Sequence, residues 1–306
     1  MVLSRKTSSS SQPEQKRRWQ RWLIGLGAGS IMLGVGAIIG LKSLQPTLTE
    51  DWQPIYEGVD LLVTKIPTNF GKGKMMAVRI KWDTPGLEMK HRTPDFPLPD
   101  NAWEKSSGDR LFKLEIADWA LRRHNPSIFV NTTRYTPHQI WRSFPGNSVT
   151  TLESLVIDGQ ASHQHQHSYL LWWDQSGNAH MEMSKPPTPG ILQSAVLGIG
   201  VQGVSIYGGR ARPGAMSGFA DPIPRTFMGI DNEKKELYLI AFEEITDAGM
   251  VEMAIAAGVQ DGAMVDSGDA THLLIGKNAK NIAPHTGIRN RRPLAGYLMI
   301  FAEPTQ

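Results

Sequence analysis

The sequence contains no cysteine. Disulfides, thiolate zinc sites and a cysteine nucleophile are therefore excluded. A domain of this size buries enough surface to hold together without such staples, so their absence does not assign a compartment. Excess charge of one sign is also missing. The formal net charge is only +3, and six basic residues before position 22 (Arg5, Lys6, Lys16, Arg17, Arg18, Arg21) face a single acid, Glu14. That segment alone carries a net of +5, which leaves about −2 for the rest of the +3 total. A nucleic-acid-binding surface is not expected on such a body. Nucleotide fingerprints are lacking too. The glycines Gly198, Gly200, Gly203, Gly208 and Gly209 form neither a Walker loop nor a strand-to-helix dinucleotide signature.

What is present begins with an uncharged run. Leu23 to Leu41 is nineteen residues without a charge, which at 1.5 Å per residue reaches about 28 Å, close to the roughly 30 Å of a bilayer core. Trp19 and Trp22 stand beside the basic cluster, where interfacial aromatics belong. The expectation is a cytoplasmic basic tail over residues 1–22, a single transmembrane helix over 23–41 in contact with membrane lipid, a linker over 42–54 and one domain over 55–306. Positive charge on the amino-terminal side places that domain in the periplasm, lumen or extracellular space.

The domain reads as α/β (α+β-like), a mixed β-sheet with short helices. Met75 to Ile80, Ile128 to Val130, Leu152 to Ile157, Tyr169 to Trp173, Val201 to Tyr207, Leu237 to Phe242 and Leu294 to Phe301 have strand length and composition. Asp83 to Gly86 reads as a turn closing a hairpin between Met75 to Ile80 and Leu87 to Met89. Helices are expected over Leu111 to Arg123, and over Met250 to Ala257 with Asp247 as its cap. The second lies between the strands Leu237 to Phe242 and Ala263 to Val265, making a strand–helix–strand crossover. The prolines Pro186, Pro187, Pro189, Pro213, Pro222 and Pro224 read as loop punctuation.

Arg225 to Ile275 reads RTFMGIDNEKKELYLIAFEEITDAGMVEMAIAAGVQDGAMVDSGDATHLLI. This segment resembles the phosphodiester glycosidase family, whose pattern has Arg-Thr opening a strand, a strand and short helix, then Asp-Gly-Gly-Gly-Ser. Arg292 and Pro293 before Leu294 to Phe301 resemble its closing block. Ile128 to Asn131, followed by Thr132 to Tyr135, stands where the family has a strand ending in Asn-Gly and an aromatic residue. The blocks run colinearly from about Val78 to Phe301. The resemblance implies a glycosidase-type hydrolase that needs no cofactor, acting on a sugar phosphodiester or a related envelope glycan linkage. It departs from the pattern at Ser267, Asp269 and Ala270, which replace two glycines and a serine, and at Thr132, which replaces a glycine. Those changes leave a second reading open, a noncatalytic carbohydrate- or protein-binding module.

Several residues carry the candidate chemistry. Asp266, at a strand end before a Gly-containing loop, suits a base or a charge stabiliser, and Asp269 or Glu115 a raised-pKa acid. Gly268 lets backbone N–H groups approach an anion. Arg225 suits bidentate capture of a phosphate or, equally, a structural ion pair. Arg134 is a further anion partner, and the resemblance adds Arg292. Asn131 suits a sugar hydroxyl or a turn, and His272 proton transfer or a local hydrogen bond. Asp266 and Arg225 are expected together in one polar pocket with Asn131 at its wall. His163, His165 and His167 alternate with glutamines and read as a polar loop or edge strand, so no metal site is expected. Of Trp172 and Trp173, one should face the core and the other outward.

Overall fold

The computed structural model describes residues 52–93, 95, 112–136, 143–163, 169–184, 187–215 and 221–305. Among them no helix is long and apolar enough to cross a membrane. The expected tail, the span 23–41 and most of the linker lie outside the described residues, as do His165 and His167.

The chain opens with β1 (Gln53–Tyr56), β2 (Val59–Lys65), β3 (Gly71–Lys81), β4 (Glu88–His91) and β5 (Phe112–Lys113), then helix α1 (Ala117–His124). Next come β6 (Ile128–Thr133), β7 (Tyr135–Thr136), β8 (Ser148–Thr151), β9 (Leu155–Ile157), β10 (Gln160–His163), β11 (Tyr169–Asp174) and β12 (Ala179–Glu182), followed by α2 (Pro189–Ser194). The last part holds β13 (Ala195–Val201), β14 (Gly203–Tyr207), β15 (Arg210–Ala211), β16 (Ile223–Asp231), β17 (Glu236–Ile245), α3 (Asp247–Ala256), β18 (Asp261–Ser267), β19 (Leu273–Ile275), β20 (Gly287–Ile288) and β21 (Gly296–Phe301). An eight-stranded sheet has the order β1-β2-β3-β17-β16-β18-β14-β15. Two five-stranded sheets run β10-β9-β13-β11-β12 and β20-β19-β6-β21-β4, and a small one runs β5-β8-β7.

Strand alternation builds the layers. Met76, Val78 and Ile80 of β3 and Leu237 and Leu239 of β17 share one core with Ile128 and Val130 of β6 and with Leu171 and Ile199 from the other five-stranded sheet. The intervening residues Met75, Ala77, Tyr238, Ile240 and Phe242 face the opposite way, onto Met250, Val251 and Ala254 of α3. The smaller sheets repeat the device. Phe129 and Tyr297 pack outward on Ala117, Ala120 and Leu121 of α1, while Val156 and Leu170 pack on Leu192 of α2. Each fully buried large apolar side chain contributes about 1.5–3 kcal/mol, so the central strands are held from both faces.

The domain is mostly β with few short helices, and the expected mixed sheet is corrected. Every ladder among the described residues is antiparallel. The strand–helix–strand crossover exists as β17, α3 and β18, but β16 lies between the two strands and pairs antiparallel with both. The expected hairpin around Asp83 to Gly86 does not form. Both edges of β3 are already taken by β2 and β17, so the chain leaves for another sheet, where β4 pairs with β21. The expected helix from Leu111 starts only at Ala117, because Phe112 and Lys113 pair with β8 instead. α3 is capped by Thr246, whose side chain accepts from the Gly249 N–H, and Asp247 becomes its first residue. Val201 to Tyr207 is two strands broken at Gln202, and Pro189 to Ser194 is a helical turn pair with Pro at its start. Gly208 and Gly209, at φ +57° and +70°, make the tight turn between β14 and β15. Trp173 is core and Trp172 only half-buried, as the alternation requires.

Candidate functional site

The site forms where β16 and β18 of the large sheet meet β6 of a smaller one. At the end of β18 the register with β16 slips. Phe227 pairs with Met264 but Thr226 pairs with Asp266, so Val265 is an extra residue, a β-bulge. Residues directly opposite one another in a ladder share a face, and a bulge re-aims the side chain that follows it. Asp266 therefore points to the same side as Thr226, toward β6.

There the Asn131 amide joins the elements. Its Nδ2 donates to Asp266 Oδ2 at 2.9 Å, and its Oδ1 accepts from Thr226 Oγ1 at 2.7 Å and from the His272 backbone N–H at 2.9 Å. The second Asp266 oxygen accepts from the Ser267 N–H at 2.7 Å. Asn131, Thr226 and Asp266 are all buried. Burial pushes the Asp266 carboxyl up to about 6, against the Ser267 and Asn131 hydrogen bonds and the charges of Arg134 and Arg292.

Asp266 opens onto a cavity of about 170 Å³ lined by Arg134, Tyr135, Asp266, Ser267, Ala270 and Arg292. Gly268, at φ +74°, starts the 3-10 turn that separates Ser267 from Ala270; an L side chain adopts that conformation only with strain. Arg134 donates from Nε to Glu153 Oε1 at 2.5 Å and from its backbone N–H to Oε2 at 3.0 Å. Arg292 donates from Nε to the Tyr135 hydroxyl at 2.8 Å, and its guanidinium lies 4.8 Å from the centre of that ring. The Tyr135 hydroxyl in turn donates to the Pro293 carbonyl at 3.0 Å. Glu153 is fully buried, and burial outweighs the attraction of Arg134, pushing the carboxyl up to about 8. Two cations and one carboxylate thus surround a space suited to a small anionic group.

Asn131, Arg134, Asp266 and Arg292 come together, with Gly268 in the adjoining turn. Arg225 does not join them. It sits on the other face of β16, fully buried, donating from Nε to the Ile245 carbonyl at 2.9 Å, with a guanidinium nitrogen 2.9 Å from Asp247 Oδ1 at the start of α3. The expected Arg225–Asp266 pocket is therefore corrected to a structural ion pair on the α3 side. His272 is buried, with its ring nitrogens 3.0 Å and 2.9 Å from the carbonyl oxygens of Ala270 and Asn290, and burial holds its pKa down. It is a satisfied turn residue outside the cavity wall. Asp269 is exposed, and its backbone carbonyl accepts from the Arg292 N–H at 3.2 Å. Glu115 is held by Arg123 at 2.7 Å and by the Tyr297 hydroxyl at 2.9 Å, likewise away from the cavity.

No motif in the sequence marks Glu153, and Tyr135 enters the resemblance only as the aromatic residue that follows Asn131. One signal for Glu153 was available, a lone acid between Leu152 and the apolar Leu155 to Ile157. The glycine segment supplies another. A Cβ at Gly200 would stand 2.3 Å from Glu153 Cβ and 2.5 Å from the Ser154 carbonyl oxygen. Gly200→Ala is therefore expected to destabilise the protein by about 1–3 kcal/mol through overpacking. Urea denaturation checks this, and an unchanged midpoint would show that the close approach is not required. Among the described residues no cluster of potential metal ligands occurs.

No protein-family model and no curated protein matches the chain in sequence. Solved structures do match in fold. The catalytic domain of zebrafish N-acetylglucosamine-1-phosphodiester alpha-N-acetylglucosaminidase, auto-inhibited by its pro-peptide, is similar with a TM-score of 0.53 and 12% identity, over 85% of this chain and 91% of that one. An exported protein of Burkholderia pseudomallei is similar with a TM-score of 0.53 and 10% identity, over 76% of this chain and 74% of that one. A Synechocystis protein of unassigned function gives a TM-score of 0.49 and 10% identity over 81% of this chain, which spans 62% of the Synechocystis chain. At these identities the likeness concerns the fold alone.

Proposed function

We propose that the domain is a hydrolase of sugar phosphodiesters or related envelope glycan linkages. The observation that carries this reading is the convergence of Asp266, Arg134 and Arg292 on one cavity. Ordinary glycoside cleavage uses two carboxyl groups, because an alkoxide leaving group must be protonated as it departs. A phosphate monoester leaves as a stabilised anion, so cations can take the place of the acid. Only one carboxylate lines this cavity among the described residues, and two guanidiniums accompany it. Asp266, ionised, takes a proton from water as the water attacks the sugar carbon. The carbon–oxygen bond to phosphate breaks, and Arg134 and Arg292 hold the departing charge. The similarity in fold to a phosphodiester α-N-acetylglucosaminidase supports the same substrate class. The test is release of phosphate monoester from a panel of sugar-1-phosphodiesters by the purified full chain.

A second reading, a noncatalytic carbohydrate- or protein-binding module, is favoured by Ala270. It lines the cavity at a position where the resemblance expects a serine hydroxyl. Binding of the same panel without turnover would select it.

Residues 23–41 are proposed to anchor the protein in a membrane as a single pass, with the domain on the periplasmic, luminal or extracellular side. Protease added to sealed inside-out vesicles is expected to remove only the amino-terminal tail. Loss of the domain from that side would reverse the topology.

A further inference from the structure

The two cavity arginines are held in the same way. Each uses its Nε, the inner edge of the guanidinium, to bond a scaffold residue: Arg134 to Glu153 at 2.5 Å and Arg292 to Tyr135 at 2.8 Å. An Nε–H bond fixes the plane of the fork, and the outer nitrogens then take their direction from that plane. The scaffold residues are themselves immobile. Glu153 is fully buried, accepts a second bond from the Arg134 backbone and is backed by Gly200. Tyr135 is buried and anchored by its bond to the Pro293 carbonyl, adjacent in sequence to Arg292. Neither scaffold residue donates a free group to the cavity. Both oxygens of Glu153 are engaged by Arg134, and the Tyr135 hydroxyl both donates to Pro293 and accepts from Arg292.

We propose that Glu153 and Tyr135 are positioning residues, each aiming one guanidinium so that Arg134 and Arg292 form a paired subsite for a phosphoryl group beside Asp266. This rests on the phosphodiester reading of the cavity, and it adds which residues preorganise the anion site. Holding an arginine in its bound rotamer beforehand removes an ordering cost from binding.

The experiment measures inorganic phosphate binding to the purified full chain by calorimetry, above about pH 8, where Glu153 is ionised. Tyr135→Phe keeps the ring and removes the acceptor for Arg292. Glu153→Gln keeps one acceptor and turns an N–H₂ toward the other arginine donor. Each is expected to weaken phosphate at least about tenfold, with Tyr135→Phe melting like the parent protein. Double-mutant cycles separate positioning from general support. Tyr135→Phe should add nothing once Arg292 is Ala, and Glu153→Gln should add nothing once Arg134 is Ala. If Glu153→Gln fails to fold, the Tyr135 and Arg292 cycle decides alone. Phosphate binding lost in the arginine variants but retained in Tyr135→Phe, or additive effects in that cycle, overturns the positioning role and leaves the phosphodiester reading standing. No phosphate binding by the parent protein overturns both.

Discussion

Asp266→Asn should reduce turnover of any sugar phosphodiester the protein cleaves by about 10²–10⁴-fold, the usual contribution of a general base. The substitution keeps the shape of the side chain and removes its charge and basicity. In the native site both carboxylate oxygens accept, one from Asn131 and one from Ser267. An amide can accept at only one of them, and the mispairing costs about 1–3 kcal/mol. Relief from burying a carboxylate opposes that cost, so thermal unfolding should move little. The pH dependence of the parent protein follows from the same group. With the carboxyl raised to about 6 by burial, the ionised, active form accumulates as pH rises, and kcat/KM should climb through about 6. Activity surviving in Asp266→Asn, or falling as pH rises through that range, would remove Asp266 from the mechanism.

Arg225→Met is expected to act on stability. The guanidinium is fully buried against Asp247 and the Ile245 carbonyl, on the face of β16 that packs against α3. Removing one member of a buried pair leaves the other without compensation, at a cost of about 3–5 kcal/mol. Methionine restores part of the lost packing and none of the charge. Chemical denaturation of the full chain should show the loss, while phosphate affinity of the remaining folded protein stays at the parent level. Normal stability combined with a specific loss of phosphate binding would return Arg225 to the anion site.

These two outcomes turn on one feature that strand periodicity does not encode. Without the extra residue at Val265, the pairing of Phe227 with Met264 would continue to set Thr226 opposite Val265 and Arg225 opposite Asp266. Arginine and aspartate would then share a face, which is the arrangement the sequence suggests. A bulge depends on how two strands fit a third element, here β6, and nothing in the residues Ala263 to Asp266 announces it. The strands themselves were legible, because Met75 to Ile80 and Leu237 to Phe242 carry enough apolar side chains to cover both faces of a buried sheet. Their partners were less so. The turn at Asp83 to Gly86 reads like a hairpin locally, and only competition from β2 and β17 prevents one. Asn131 and Arg292 are marked by their order along the chain, and Arg134 by its cationic charge beside Asn131. The contacts of Glu153 and Tyr135 are not legible, because their partners are other side chains and a sequence does not show which arginine a buried acid will hold.

Asn131 has a consequence beyond the site. Its Oδ1 takes two hydrogen bonds and its Nδ2 gives one, tying β6 to β16, β18 and the turn at His272. Aspartate at this position could not donate, and glutamine would overshoot by a methylene. The same amide that orients the carboxylate therefore also closes two sheets against each other. A substitution that loosens the seam between the sheets is therefore expected to disturb the orientation of Asp266 as well, since one side chain holds both.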